Sequence, residues 1–271
     1  MKISIVGSGN VSTGLGRAFS TAGHEIQDVF SRTSAHAAET AGKLNARAVT
    51  RPEDLCLDID LILVAVKDDA LPEVARNLSA VTMAGKTNPD QASGLKHVVV
   101  AHTAGSIPME VLSGVSPNHG VFYPFQTFSR ERETDTNGLP CCLEASNSFT
   151  ATLLESLAKS IGGRIYQAGS AQRKVLHLAG AFACNFSNHC YVIAEELLRE
   201  EGLEFDIIRP LILETAEKAL SMSPRDAQTG PAVRDDQMVL SAHRELLQGK
   251  PELQELYTLL SASILRLYKE Q

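Results

Sequence analysis

The chain has 271 residues, with 25 Lys and Arg against 32 Asp and Glu, a formal net charge of −7 and a hydrophobic fraction of 44%. This composition is typical of a folded globular protein, and its acidic balance argues against a nucleic-acid-binding protein. The apolar run at residues 61–66 is six residues long, whereas a membrane-spanning helix needs roughly 20. The apolar start of the chain ends at Gly7 and is too short for a signal peptide. We therefore expect a cytoplasmic protein that binds neither nucleic acid nor membrane.

The five cysteines indicate neither a disulfide framework nor a metal site. Their number is odd, and no Cys-x-x-Cys pair occurs. We therefore expect buried thiols in a reducing compartment and no bound metal. The cysteines are Cys56, Cys141, Cys142, Cys184 and Cys190.

Strand and helix patterns alternate through the first 168 residues. Strands are predicted at residues 2–7, 25–31, 48–49, 60–66, 97–101, 121–128, 139–144 and 164–167. Helices are predicted between them at residues 10–22, 35–45, 52–57, 70–80, 108–112 and 148–161, and a loop at 85–96. Such alternation predicts a parallel sheet that is covered by helices.

After Gly169 every predicted element is a helix. These helices occupy residues 172–201, 206–222, 232–247 and 252–270, and a loop occupies residues 223–231. The predicted fold class is therefore α/β, a mostly parallel sheet followed by an all-α C-terminal domain. We predict a dinucleotide-binding domain at residues 1–168 and a helical substrate and dimerisation domain at residues 169–271.

The first strand leads into the motif Gly-Ser-Gly-Asn-Val-Ser at residues 7–12, which opens a helix. This is the pattern of a dinucleotide-binding loop. Gly7 permits a sharp turn, and Gly9 lets the backbone approach a pyrophosphate that the N–H groups of the helix start can bind. Ser12 replaces the third glycine and is small enough for close packing. The predicted cofactor contacts here are Gly7, Ser8, Gly9, Asn10 and Val11.

The end of the second predicted strand favours NADP over NAD. An NAD site usually has an acidic residue there to bind the ribose 2′-hydroxyl, and Asp28 lies too early in the strand for that role. Ser31, Arg32 and Thr33 occupy the strand end instead, and they suit a 2′-phosphate. The missing carboxylate also argues against an S-adenosylmethionine methyltransferase, and the absence of Tyr-x-x-x-Lys argues against a short-chain dehydrogenase.

Polar residues follow three further predicted strands, at the sheet edge where open α/β proteins bind ligands. Thr103 has an alternative role as the cap of a following helix. The candidate cofactor contacts are Val66, Lys67, Asp68, His102 and Thr103, and the candidate substrate contacts are Tyr123 and Gln126.

Seven segments between residues 5 and 236 together resemble a known family. They are GSGNVS, the SRT turn, AVKDDA, HTAGS, GVFYPFQTFS, HLAGAFACNFSNH and TGPAVRDD. That family has an N-terminal Rossmann domain of the NADP oxidoreductase type and a C-terminal helical domain of unknown function. It is similar in architecture to pyrroline-5-carboxylate reductase and to deazaflavin-dependent NADP reductases. The resemblance implies an NADP-dependent oxidoreductase that dimerises through its helical domain, and it implies no particular substrate.

The long predicted helix places His177, Asn185 and Asn188 on one face. At 100° per residue, Asn188 lies about 20° and Asn185 about 80° from His177. Such a stripe is typical either of a binding site or of hydrogen bonds between helices. The two asparagines, about 4.5 Å apart along the axis, can bind one group, whereas His177 lies about 16 Å from Asn188. Two further candidate substrate contacts, Thr229 and Arg234, lie in the loop and helix start beyond, where a purely structural capping role is the alternative.

Three functions are compatible with this pattern. The favoured one is hydride transfer between NADPH and a small carbonyl or imine, with His177 as the proton donor and His102 as its rival. The second is a non-catalytic NADP sensor, because no compelling acid/base pair is evident. The third is hydride exchange with a deazaflavin, which would need a basic groove that the sequence does not show clearly.

Overall fold

The computed structural model describes residues 1–56, 58–86, 97–129, 132 and 134–269. The chain forms two compact units, Met1–Ser187 and Asn188–Gln271. All strands that the structure describes lie in the first unit, and the described elements of the second are helices. None of the helices in the described ranges is long and apolar enough to cross a membrane.

The first unit is built on one eight-stranded sheet in the order β3-β2-β1-β4-β5-β6-β7-β8. The strands β1 to β6 are parallel, β7 runs antiparallel to β6, and β8 is parallel to β7. The first six strands have the order of a Rossmann dinucleotide-binding sheet, which confirms the predicted fold class. The strands are β1 (Lys2–Val6), β2 (Glu25–Phe30), β3 (Arg47–Val49), β4 (Leu61–Val64), β5 (Val99–His102), β6 (His119–Pro124), β7 (Pro140–Ala145) and β8 (Arg164–Gln167).

Helices cover both faces of the sheet and form the second unit. In the first unit they are α1 (Asn10–Thr21), α2 (Ser34–Leu44), α3 (Leu71–Lys86), α4 (Ser148–Ser160) and α5 (Ser170–Gly180), followed by a π-helical segment (Ala181–Phe186). Next come α6 (Ser187–Glu200), α7 (Arg209–Ser221), α8 (Pro224–Ala227), α9 (Gln237–Leu246) and α10 (Pro251–Lys269). Short 3-10 turns occupy Pro52–Asp54, Asp68–Ala70, Met109–Leu112 and Phe205–Ile208.

Every described residue of β4 and β5 is buried, because helices pack on both faces of these central strands. One apolar cluster contains Leu15 and Phe19 of α1, and the other contains Leu71 and Leu78 of α3. The two clusters fix the carboxyl ends of the central strands, where the candidate site lies.

Several predicted elements differ from the observed ones. The helices predicted at 52–57 and 108–112 are the 3-10 turns Pro52–Asp54 and Met109–Leu112, and α8 lies within the loop predicted at 223–231. The helix predicted from residue 232 begins only at Gln237, because Asp235 has a φ of 55° and the Asp236 carboxylate caps the helix by accepting the Val239 N–H at 3.2 Å. The predicted helix at 172–201 is interrupted by the π-helical segment. The helix α3 continues to Lys86, so the predicted loop starts later than residue 85. Residues 87–96 of the predicted loop lie outside the described residues.

The division of the chain into two compact units falls after Ser187, beyond the last described strand. Packing places α5 with the sheet, because the buried Arg173 of α5 forms an ion pair with Glu144 of β7. The functional division at residue 168, between a cofactor domain and a substrate domain, stays a prediction.

Candidate cofactor and substrate site

The turn between β1 and α1 requires its first glycine. Gly7 has a φ of 124°, and a Cβ there would lie 2.2 Å from the Ala65 carbonyl oxygen. At Gly9, which precedes α1, a Cβ would meet nothing within 4 Å, so the helix N-terminus faces open space that an anion can occupy. Ser12, in place of the third glycine, is fully buried and donates a hydrogen bond to the Ala65 carbonyl at 3.2 Å. The turn is thus tied to the end of β4.

A cavity of about 330 Å³ opens beside this turn. It lies at the carboxyl ends of β1, β2 and β4, as the sheet topology predicts for a dinucleotide. We call it the first cavity. Eight of the predicted cofactor contacts line it: Gly7, Ser8, Gly9, Ser31, Arg32, Thr33, Val66 and Lys67.

The far end of the first cavity carries groups that suit a phosphate. Arg32 is exposed. No residue in the described part of the chain accepts a hydrogen bond from its guanidinium or forms an ion pair with it. Ser31 bonds through its hydroxyl to the Ser8 hydroxyl at 3.0 Å. Thr33 immediately precedes α2, whose first turn holds no acidic residue. A free guanidinium, hydroxyls and a helix N-terminus together favour a dianion such as a 2′-phosphate.

Asp28, the carboxylate of β2 nearest the carboxyl end of the strand, is engaged elsewhere. It is buried, pairs with Arg47 at 2.7 Å and accepts the Cys56 N–H at 2.7 Å. These bonds hold β2 to β3 and to the segment that follows β3. They leave no carboxylate at the end of β2 for a ribose 2′-hydroxyl.

A second cavity, of about 400 Å³, adjoins the first. The two cavities share Ala65 and Val66, which follow β4. A ligand that extends along the strand ends can therefore reach both. Eight predicted site residues line the second cavity: Val11, Val66, Asp68, Thr103, Tyr123, Gln126, His177 and Asn185.

Tyr123 and His177 form a pair in the wall of the second cavity. The Tyr123 hydroxyl lies 3.3 Å from His177 Nδ1. The backbone of Gly105 packs against both, since a Cβ there would lie 3.0 Å from the Tyr123 hydroxyl and 3.1 Å from His177 Nδ1. Burial raises the pKa of Tyr123, and the neighbouring Cys142 and Asp68 raise it further. The phenol therefore keeps its proton at neutral pH and can donate it.

His102, the other candidate proton donor, lines neither cavity. It is fully buried, and burial, reinforced by the nearby Arg173 guanidinium, lowers its pKa to about 4. Its Nδ1 accepts the Ala104 N–H at 3.1 Å, which fixes the neutral ring. The geometry therefore does not support His102 as a proton donor or as a cofactor contact, because its ring is uncharged and enclosed.

The π-helical segment contributes Ala181, Ala183, Cys184 and Asn185 to the second cavity. In an uninterrupted α-helix, Ala183 would lie about 120° from His177 and face away from it. The wider turn brings these residues to the cavity side, and such segments are frequent at functional sites. The angles that the sequence predicts beyond residue 181 therefore do not apply, because they assume a regular α-helix.

Four other predicted site residues are not among those that line the first or the second cavity. Asn10, the first residue of α1, lines neither. Asn188, Thr229 and Arg234 lie in the second unit. Gln126 lines the second cavity, but its side-chain oxygen accepts the Thr127 N–H at 2.9 Å, which leaves its amide N–H groups to face a ligand.

Sequence analysis missed Arg173. This residue is fully buried, forms an ion pair with Glu144, and donates hydrogen bonds to the carbonyls of Ile107 at 2.9 Å and Ala168 at 3.1 Å. It fixes the first turn of α5, one turn before His177. No sequence signal distinguishes it from the neighbouring Lys174, which is exposed.

Comparison with known proteins agrees with this architecture. Residues 2–88 match the family model described as NADP oxidoreductase, coenzyme F420-dependent, and residues 139–264 match a domain of unknown function. A Bacteroides fragilis protein classed as an NADP oxidoreductase is 41% identical, with 98% of each chain covered and a TM-score of 0.87. The chain belongs to this NADP oxidoreductase family. Comparison with curated proteins gives no match.

More distant solved structures share the fold of this NADP oxidoreductase. Pyrroline-5-carboxylate reductase from Coxiella burnetii is 17% identical, with 99% of this chain and 97% of that chain covered and a TM-score of 0.56. An imine reductase from Myxococcus stipitatus, solved in complex with NADP⁺, is 15% identical, with 100% of this chain and 93% of that chain covered and a TM-score of 0.59. At these identities the similarity establishes the fold alone.

The first cavity of the oxidoreductase fits NADP. A Cβ at Gly7 would collide with Ala65, whereas the approach to Gly9 is open. Arg32, whose guanidinium has no partner among the described residues, lies in the first cavity where the 2′-phosphate of NADP is expected. The residues present therefore match the cofactor of the family.

Proposed function

We propose that this oxidoreductase uses NADPH, held in the first cavity, to reduce a small carbonyl or imine bound in the second. The observation that carries the proposal is the shared wall of the two cavities at Ala65 and Val66. The cofactor supplies the hydride, while the protein supplies binding, orientation and a proton. Thr103 and Asp68, which line only the second cavity, lie on the substrate side of that wall.

Tyr123 and His177 supply the proton in this proposal. The Tyr123 phenol is half-buried and stays protonated at neutral pH, so it can donate to a developing alkoxide or amide anion. His177 is exposed and contacts the phenol oxygen through Nδ1, so it can return a proton from solvent. Asn185 and Gln126 supply the side-chain amides at the same cavity.

The test compares NADPH oxidation by the wild type with that of Tyr123→Phe and His177→Gln on a panel of small cyclic imines and ketones. Loss of a positioned general acid is expected to lower kcat about 100-fold or more, with NADPH affinity unchanged. The matched control is a second Tyr–His pair, Tyr257 and His243, whose hydroxyl and Nδ1 lie 2.8 Å apart outside both cavities. Tyr257→Phe and His243→Gln should leave turnover unchanged.

Full turnover in Tyr123→Phe and His177→Gln would contradict the assigned proton donor. Tight NADPH binding by the wild type without oxidation on the whole panel would favour the non-catalytic sensor instead. Turnover with an oxidised deazaflavin alone would favour the third function.

We also propose that the protein is a homodimer formed through its helical part. Four helices, α6, α7, α8 and α10, contain no buried residue among those described. In α7, Leu213 and Leu220 lie within about 20° of each other, and Leu211 lies on the opposite face. All three are more than half exposed. A helix with apolar residues on opposite faces is usually buried, and a second copy of the chain is the partner that we propose.

We place the protein in the cytoplasm. All five cysteines are free thiols, and burial raises the pKa of Cys141 to about 12. Unpaired thiols in this number are typical of a reducing compartment.

A further inference from the structure

We propose that the second cavity selects a cationic nitrogen, an iminium or ammonium group, and that Asp68 binds it. This proposal rests on the proposed function, since it names the substrate class of that same site. It assigns to Asp68 the recognition of substrate charge, a role different from the cofactor contact that its sequence position suggests.

Asp68 is placed for this role by the end of β4. It begins the 3-10 turn Asp68–Ala70, is partly buried, and lines the second cavity but not the first. Its Oδ2 accepts a hydrogen bond from the Ser106 hydroxyl, which fixes the carboxylate. Its Oδ1 accepts no hydrogen bond from any residue in the described ranges. One oxygen is therefore anchored and the other is available to a ligand.

The charges around the second cavity favour a cation. Among the described residues that line it, Asp68 is the one with a formally charged side chain at neutral pH, and none is Lys or Arg. The nearby Arg173 is fully buried and already paired with Glu144. Lys67 lines the first cavity. A substrate carboxylate in the second cavity would therefore meet an unbalanced negative charge, whereas a cation would neutralise it.

The carboxylate also acts on the neighbouring proton donor. Burial and the neighbouring Cys142 raise the pKa of Tyr123, and the charge of Asp68 raises it further. The electrostatic field of Asp68 therefore reaches the phenol. A protonated C=N group is more electrophilic than a neutral one. Hydride addition to this cation gives the neutral amine directly, so the proton of Tyr123 is needed only where the imine enters unprotonated. A carboxylate that stabilises the cation therefore favours the form of an imine that is more readily reduced.

The experiment measures binding rather than turnover. Three bicyclic probes of similar size are titrated by calorimetry into the full-length protein, with and without NADP⁺: 1,2,3,4-tetrahydroisoquinoline, which is cationic at pH 7, isochroman, its neutral ether analogue, and indane-2-carboxylate, an anion. The wild type should bind the cation at least about 10-fold more tightly than the ether, as a charged hydrogen bond allows, and should bind the anion least.

The variants are chosen to isolate one carboxylate. Asp68→Asn should remove the preference for the cation, and Asp68→Glu, which keeps the charge, should retain most of it. The matched control is Asp69→Asn, which makes the same charge change one residue further on, at an exposed position outside both cavities. It should leave the preference unchanged.

Each result has a distinct meaning. Equal affinities for tetrahydroisoquinoline and isochroman in the wild type, or equal losses in Asp68→Asn and Asp69→Asn, would overturn the proposal. So would an Asp68→Asn variant that loses NADPH affinity and keeps the cation preference, because Asp68 would then be a cofactor contact. A wild type that binds no NADPH but discriminates the probes would overturn the proposed function and retain the cation site.

Discussion

Burial decides the role of each histidine near the site. His102 is the last residue of β5 and His177 lies within α5, and the sequence offers both as proton donors. In the structure, His102 is fully buried and lines neither cavity, whereas His177 is exposed, lines the second cavity and contacts Tyr123. Whether a residue at the end of a strand is exposed depends on which elements pack over it. A single sequence does not show that packing.

The lowered pKa of His102 predicts a pH-dependent contribution to stability. Its folded-state pKa is about 4, below an ordinary value near 6.5 in the unfolded chain. Between these values the unfolded state binds a proton that the folded state does not, so stability falls as the pH drops from 6.5 to 4. The free energy of unfolding falls by about 3 kcal/mol between pH 6.5 and pH 4.

Urea denaturation of the wild type and His102→Gln at pH 7, 5.5 and 4.5 measures this contribution. The variant is expected to be less stable at pH 7 but to lose less stability on acidification than the wild type. His36→Gln, at an exposed position, is the control and should follow the wild type. Parallel pH profiles for His102→Gln and the wild type would show that His102 is not the group responsible.

At the scale of the element, the sequence predicts regular structure well and irregular structure poorly. The alternation of apolar strands and capped helices identifies β1 to β8, because strand and helix periodicities differ. It does not identify the π-helical segment Ala181–Phe186, because an extra residue in a helical turn changes no composition or periodicity that a short window can detect. That segment supplies a wall of the second cavity, so the angles predicted for Asn185 and Asn188 relative to His177, which assume a regular α-helix, do not apply, and the shared face stays a prediction.

The exposed apolar faces of α7 lead to a prediction about assembly. If a second chain covers them, light scattering on the eluting protein should give twice the chain mass of 29.2 kDa. The double change Leu213→Glu and Leu220→Glu puts two charges on one face and should shift the mass to that of a monomer, since buried unpaired charges are costly. Glu217→Gln, at an exposed position of the same helix, should remain dimeric. A monomeric wild type at all concentrations would contradict the dimer.

At the scale of the molecule, the sheet order explains why the nucleotide loop could be predicted and the substrate site only in part. Gly7, Gly9 and Arg32 are close in the sequence to the strands that position them, so local motifs identify them. Tyr123 of β6 and His177 of α5 are 54 residues apart in the sequence and come together only in the folded chain. The sequence supplied both residues as candidates but not their contact.

The central claim is that the first cavity holds NADPH and recognises its 2′-phosphate through Arg32. The most direct measurement is a titration of NADPH and NADH that follows the fluorescence of the reduced nicotinamide itself, because the chain has no Trp to serve as an energy donor. It compares the wild type with Arg32→Ala and with Arg199→Ala, an exposed arginine of α6 that lines neither cavity.

The wild type should bind NADPH more tightly than NADH. Arg32→Ala should weaken NADPH binding by roughly 10- to 150-fold, the range expected for lost charged hydrogen bonds, towards the affinity for NADH. NADH binding should change little, and Arg199→Ala should match the wild type. Equal affinities for the two cofactors, an unchanged NADPH affinity in Arg32→Ala, or no binding of either would contradict the account.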